Sequence, residues 1–250
     1  MPVLIPRRPW PPGFPEVVIH NDLKARNTHP AYIAAKSGDA EAARVLADDL
    51  LSVTEVQRLG EWLDGRRPIL VAVTADEMMG FNAIPDAMAE VLSACLGLEV
   101  SGGTIVQVNK VGHTKAAGWH RLVTPAVFEG DIISGNDYIL VDDHVGFGGT
   151  LANLRGFIEY NGGHVIGMTT STETRAARNI SVRQEALTML YERHGRDLQH
   201  FWLGRFGHGL DCLTDIEAGY LCRVESVTAI QNRMAQAAEQ ARRRGLSAVG

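Results

Sequence analysis

Cysteine is scarce: the chain holds only Cys95, Cys212 and Cys222, with no CxxC pair and no zinc-like spacing. So odd and sparse a set suits reduced thiols that pack as small hydrophobes, and it offers neither a disulfide framework nor a structural zinc site. No apolar run approaches the roughly 20 residues that span a bilayer, so no membrane partner is expected. Positive charge is also short, with 24 Lys and Arg against 29 Asp and Glu, a net charge of -5 and a pI of about 6.0. Nothing in that balance attracts nucleic acid. The single basic run, Arg242-Arg243-Arg244, reads as a solvated helix end. The sequence contains no Gly-Lys pair, which removes the P-loop motif. The GxGxxG motif fails too, because Leu151 stands where its third glycine belongs.

Proline is concentrated at one end, at Pro2, Pro6, Pro9, Pro11, Pro12 and Pro15. Such a segment makes no apolar signal helix, and the cytoplasm is the expected compartment. It reads as an extended arm lying on the domain or on a partner subunit. The expected organisation is a Pro-rich arm over 1–36, an α/β core over 37–175 and a helical hood over 176–250.

Within the core, 69–73 (ILVAV) is short, continuous and branched, as a buried parallel strand should be. Further strands are expected at 105–108, 138–141 and 165–168. Helices are expected after Asp39, over 53–63 with Thr54 as cap, over 86–96 and over 151–161. This alternation gives a central parallel sheet flanked by helices, whose ligands bind beyond the carboxyl ends of the strands. The tail reads as helices over 182–194, 215–222 and 226–244.

One of those strand exits carries the chemistry. Residues 138–150 read YILVDDHVGFGGT. Gly146, Gly148 and Gly149 permit a tight loop with inward amides, and the helix that follows adds its positive end. The Thr150 hydroxyl contributes a further hydrogen bond. Asp142 and Asp143 leave the strand facing opposite ways, so at least one can accept from ribose hydroxyls. His144 is read as a satisfied structural histidine.

At 139–150 the sequence resembles the type I phosphoribosyltransferases, whose signature runs from an apolar strand through two acids to a small-residue loop ending in glycine and threonine. The resemblance covers roughly 69–168. It implies a parallel-sheet fold with a variable hood, and phosphoribosyl pyrophosphate and a nitrogenous base as substrates with Mg²⁺. It also implies a homodimer. By the same resemblance, Gly146, Phe147, Gly148, Gly149 and Thr150 hold the 5-phosphate, and Asp142 and Asp143 hold the ribose and the metal. Thr74, Ala75 and Asp76 form the pyrophosphate loop. Asp143, Lys110 and Lys115 act in catalysis; the small residues of 110–121 read as a flexible lid carrying those lysines, with Trp119 either its hydrophobic latch or a core anchor. Two readings stay open: an active phosphoribosyltransferase, and a non-catalytic protein that binds a phosphoribosyl compound or nucleotide. The lysines favour the first. Phe147, the acidic first loop and the helical tail favour the second.

Overall fold

The computed structural model describes residues 3–77, 80–109, 111, 118–174 and 176–246. In chain order the elements are β1 (Val18–Ile19), α1 (Leu23–Thr28), α2 (Tyr32–Lys36), α3 (Ala40–Leu50), α4 (Val53–Leu63), β2 (Ile69–Ala72), β3 (Asp76–Glu77), β4 (Gly80–Phe81), α5 (Ile84–Leu96), β5 (Ile105–Gln107), α6 (Gly118–Val123), β6 (Phe128–Gly130), β7 (Asp137–Val145), α7 (Gly149–Tyr160), β8 (His164–Glu173), α8 (Gln184–Phe206), α9 (Asp215–Cys222) and α10 (Val227–Arg243).

The central sheet is parallel throughout, in the order β1-β8-β7-β2. Strand pleating sends alternate side chains of β7 to opposite faces. Ile139 and Val141 join an apolar cluster built with α3, α4 and α5. Tyr138 and Leu140 join another with α7. All four are essentially buried, and each such side chain stabilises the fold by roughly 1.5–3 kcal/mol. The expected parallel sheet with helices on both faces is therefore present.

Three local expectations are corrected. The strand at 105–107 pairs antiparallel with β6 outside the central sheet. The slot beside β2 goes instead to residues 99–101, where the Leu70 amide donates to the Glu99 carbonyl and the Ser101 amide donates to Leu70. The chain passes directly from Gly97 at the end of α5 to that edge, so it is the first segment to reach it. Helix α4 is capped by Ser52, whose hydroxyl accepts from the Glu55 amide, and not by Thr54. Residues 18–36, expected to lie within the arm, instead supply a sheet strand and two short helices.

The remainder of the arm lies along the molecule. The Trp10 indole donates to the Leu213 carbonyl, and Arg155 donates to the carbonyls of Arg8 and Pro9. In the tail, α8 is interrupted at Gly195 (φ 60°, ψ -157°), one residue past the end expected from sequence. Helices α8, α9 and α10 form a third apolar cluster, and Leu122 and Val123 of α6 are buried in it.

Candidate functional site

Strand β7 stays paired with β8 as far as Val145 opposite Glu173, four residues beyond the expected end at 141. Asp142, Asp143 and His144 therefore belong to the strand, and their directions alternate. Asp142 and His144 face a cleft of about 390 Å³. Asp143 turns to the other side, where the Lys36 ammonium lies 2.9 Å from its carboxylate and the Arg26 guanidinium 3.9 Å.

The loop then turns on Gly148, which caps α7 with φ +77°. A side chain there would crowd Ile180 and Thr214 at 3.1 Å, so glycine is required twice over. Among the described residues, the amides of 146–150 find no backbone acceptor. They line the same cleft as Thr150, at the positive end of a 12-residue helix. The loop is anchored to the hood through Phe147. Its carbonyl accepts from the Thr214 hydroxyl at 2.6 Å, and its ring meets Tyr220 edge-on at 5.3 Å.

Two cleft residues were not anticipated. Arg121 on α6 holds its guanidinium 5.7 Å from the Phe147 ring centre. One of its nitrogens lies 3.4 Å from where a Cβ on Gly146 would stand. Its place at the end of the stretch 110–121, which also carries Lys110 and Lys115, was the available signal. Glu217 on α9 also lines the cleft. Its charge is met by Arg7 of the arm, through bonds of 2.6 and 3.0 Å, and by the Thr214 amide. Neither the arm nor α9 announces that contact in sequence.

The acid pair is electrically unequal. Burial and the adjacent Asp143 push the Asp142 carboxyl well above the usual range, against the opposing pull of Lys36. Burial pushes Asp143 the same way, but Lys36 and Arg26 together outweigh it and hold Asp143 below the ordinary value. Asp142 is thus the weaker carboxylate of the pair and the one that lines the cleft, while Asp143 is held in its charged form by Lys36 and Arg26. His144 matches its structural reading: its ring nitrogens bond the hydroxyls of Thr172 and Thr174 at 2.9 and 2.8 Å. Burial and nearby Arg26 lower it to about 4, so it is neutral at physiological pH.

Other sequence-based assignments land elsewhere. Thr74 donates its hydroxyl to Asp86, and its carbonyl accepts from Gln107. Ala75 bridges Gln107, and Asp76 begins the β3–β4 hairpin. This backbone is tied into extended pairing. Lys110 and Lys115 lie outside the described residues. Asp142 lines the cleft, Asp143 is bonded to Lys36 with Arg26 nearby, and no group of three metal-ligating side chains occurs among the described residues.

Fold and site together define an α/β protein with a helical tail and a glycine-loop cleft at the carboxyl edge of its sheet. The chain is 44% identical over 235 residues to Protein TraN of Escherichia coli, covering 94% of this chain and 52% of that protein. It is 40% identical over 152 residues to an uncharacterized protein of Haemophilus influenzae, covering 61% of this chain and 34% of that one. The chain thus spans about half of the first relative and about a third of the second. No family model matches it. Among solved structures it is similar to an adenine phosphoribosyltransferase of Saccharomyces cerevisiae, at 15% identity and a TM-score of 0.35, over 61% of this chain and 76% of that one. No helix among the described residues is long and apolar enough to cross a membrane.

Proposed function

We propose that the chain binds a phosphorylated ribose compound at residues 146–150, as a binding module more than as a transferase. The observation that carries this reading is the set of loop amides that find no backbone acceptor among the described residues and line a cleft beside Arg121. Those amides and the Thr150 hydroxyl donate to the phosphate oxygens, and Arg121 adds charge. Asp142 accepts a hydrogen bond from a ribose hydroxyl. Glu217 is kept from repelling the anion by Arg7.

A second reading is phosphoribosyl transfer from phosphoribosyl pyrophosphate to a nitrogenous base, with Mg²⁺ arriving on the substrate. The order of apolar strand, acid pair and glycine loop along 139–150 favours it. Against it stand Asp143, committed to Lys36 and Arg26, and the paired backbone of 74–76.

One experiment separates the two. The protein is titrated calorimetrically with ribose 5-phosphate, and its phosphorus resonances are followed with phosphoribosyl pyrophosphate, Mg²⁺ and a panel of nucleobases. Saturable binding without base-dependent pyrophosphate release supports the binding module. Release that depends on one base establishes the transferase, and absence of any binding removes the site. In the titration, Thr150→Ala should weaken ribose 5-phosphate by roughly fivefold, the worth of about one hydrogen bond. Unchanged affinity would take Thr150 out of the site.

A further inference from the structure

Beyond Phe147 the phosphate cleft continues into a second space of about 1030 Å³, sharing Arg121, His144, Gly146 and Phe147 with the first. Its far wall is Tyr220 and Arg223 of the hood, with Thr174 from the end of β8. Among the described residues no carboxylate lines it. Of the two spaces, Asp142 and Glu217 border the first and not the second. Its two guanidiniums are each placed against an aromatic ring. Arg121 lies 5.7 Å from the centre of Phe147 and Arg223 lies 5.8 Å from the centre of Tyr220. Phe147 and Tyr220 in turn touch each other. Such stacking limits the directions a guanidinium can take and lowers the entropy lost when it grips an anion. His144 adds no charge at neutral pH, since burial lowers it to about 4.

We propose that this second space is a further anion subsite, so that the ligand carries a second phosphate, held between Arg121 and Arg223, besides the one on residues 146–150. This rests on the binding reading above and narrows it to sugar phosphates with two separated anionic groups. The subsite joins the glycine loop to the helical tail, so ligand engagement at both ends fixes the hood against the sheet edge.

The test compares ribose 5-phosphate with ribose 1,5-bisphosphate by calorimetry in low-salt, Mg²⁺-free buffer. The bisphosphate should bind at least about tenfold more tightly, the scale of one added charge-assisted contact. Arg223→Gln should reduce that ratio to below about threefold, and Arg223→Lys should restore part of it. A ratio near one in the unaltered protein overturns the second subsite and leaves the loop reading standing. A ratio that Arg223→Gln does not change also overturns it. If neither compound binds, the loop reading and the subsite fall together.

Discussion

Gly118 stands where α6 passes between two rings. A Cβ at this position would lie 2.6 Å from the Tyr220 ring and 2.7 Å from the Phe147 ring, closer than packed atoms allow. Both rings are held, Phe147 by the loop and Tyr220 by its tilted contact with Trp119 at 5.0 Å. Gly118→Ala should therefore destabilise the fold by roughly 1–3 kcal/mol through overpacking, measured by urea unfolding. It should also weaken ribose 5-phosphate, because displacing Phe147 moves the amides beside it. A variant as stable as its parent would show that the rings yield freely. At this scale the sequence was only partly legible. The glycine loop and its capping helix could be read because glycine, strand and helix follow one another in the chain. The Asp142 and Asp143 alternation could also be read from strand period, but the partner that claims Asp143 could not. Lys36 lies 107 residues away, and only tertiary packing brings it within 2.9 Å.

Among the elements, the arm has the least regular structure and makes the most consequential contact. Arg7 donates to Asn153, to the Gly149 carbonyl and to both oxygens of Glu217, tying the arm to the first turn of α7 and to α9. The two side chains are 9% and 3% exposed, so each charge depends on the other. Glu217 is also half of the capping box that starts α9. Removing one partner of a buried pair strands the other, at a cost of about 3–5 kcal/mol. Arg7→Gln should approach that loss in urea unfolding and should expose the arm to proteolysis ahead of the core. The paired change Arg7→Met with Glu217→Leu should lose less than Arg7→Gln alone, since no charge is then left unpaired. An arm as protease-resistant in Arg7→Gln as in the parent would refute the tie. Proline placement allowed the arm to be recognised as extended, but not its anchor, because an arginine among prolines carries no pattern. Local signals served better where they were complete. The buried run 69–73 and the Pro85–Gly97 bracket around α5 gave elements close to those observed. The strand at 105–107 was recognised as a strand and assigned to the wrong sheet, because pairing is decided by which segment reaches the edge first.

At the scale of the whole molecule, three histidines in three different regions have their titration lowered by burial. His20 bonds Thr169 beside β1, His144 lies at the cleft, and His208 packs near Trp202 and Phe206 in the tail. Burial is the largest cause in each, and each is lowered to about 4. In the unfolded chain they titrate near the ordinary value of about 6.5. Between those values the unfolded state binds protons that the folded state refuses, so stability falls as pH falls. The contribution is complete above pH 6.5 and is lost progressively down to about pH 4. The acids Asp86, Asp142 and Glu159, raised chiefly by desolvation, pull the other way, since the folded state keeps protons that the unfolded chain releases. A single unfolding curve would mix the two effects, and a difference between proteins isolates one. His208→Asn keeps a donor for the Gly209 carbonyl and removes the titrating group. Its unfolding free energy, compared with the parent at several values between pH 7.5 and pH 4.5, should converge toward the parent's as acid is added. The parent loses up to about 1.4 kcal/mol per pH unit more than the variant within the window. Parallel curves would mean that His208 takes up its proton in the folded protein as readily as in the unfolded one.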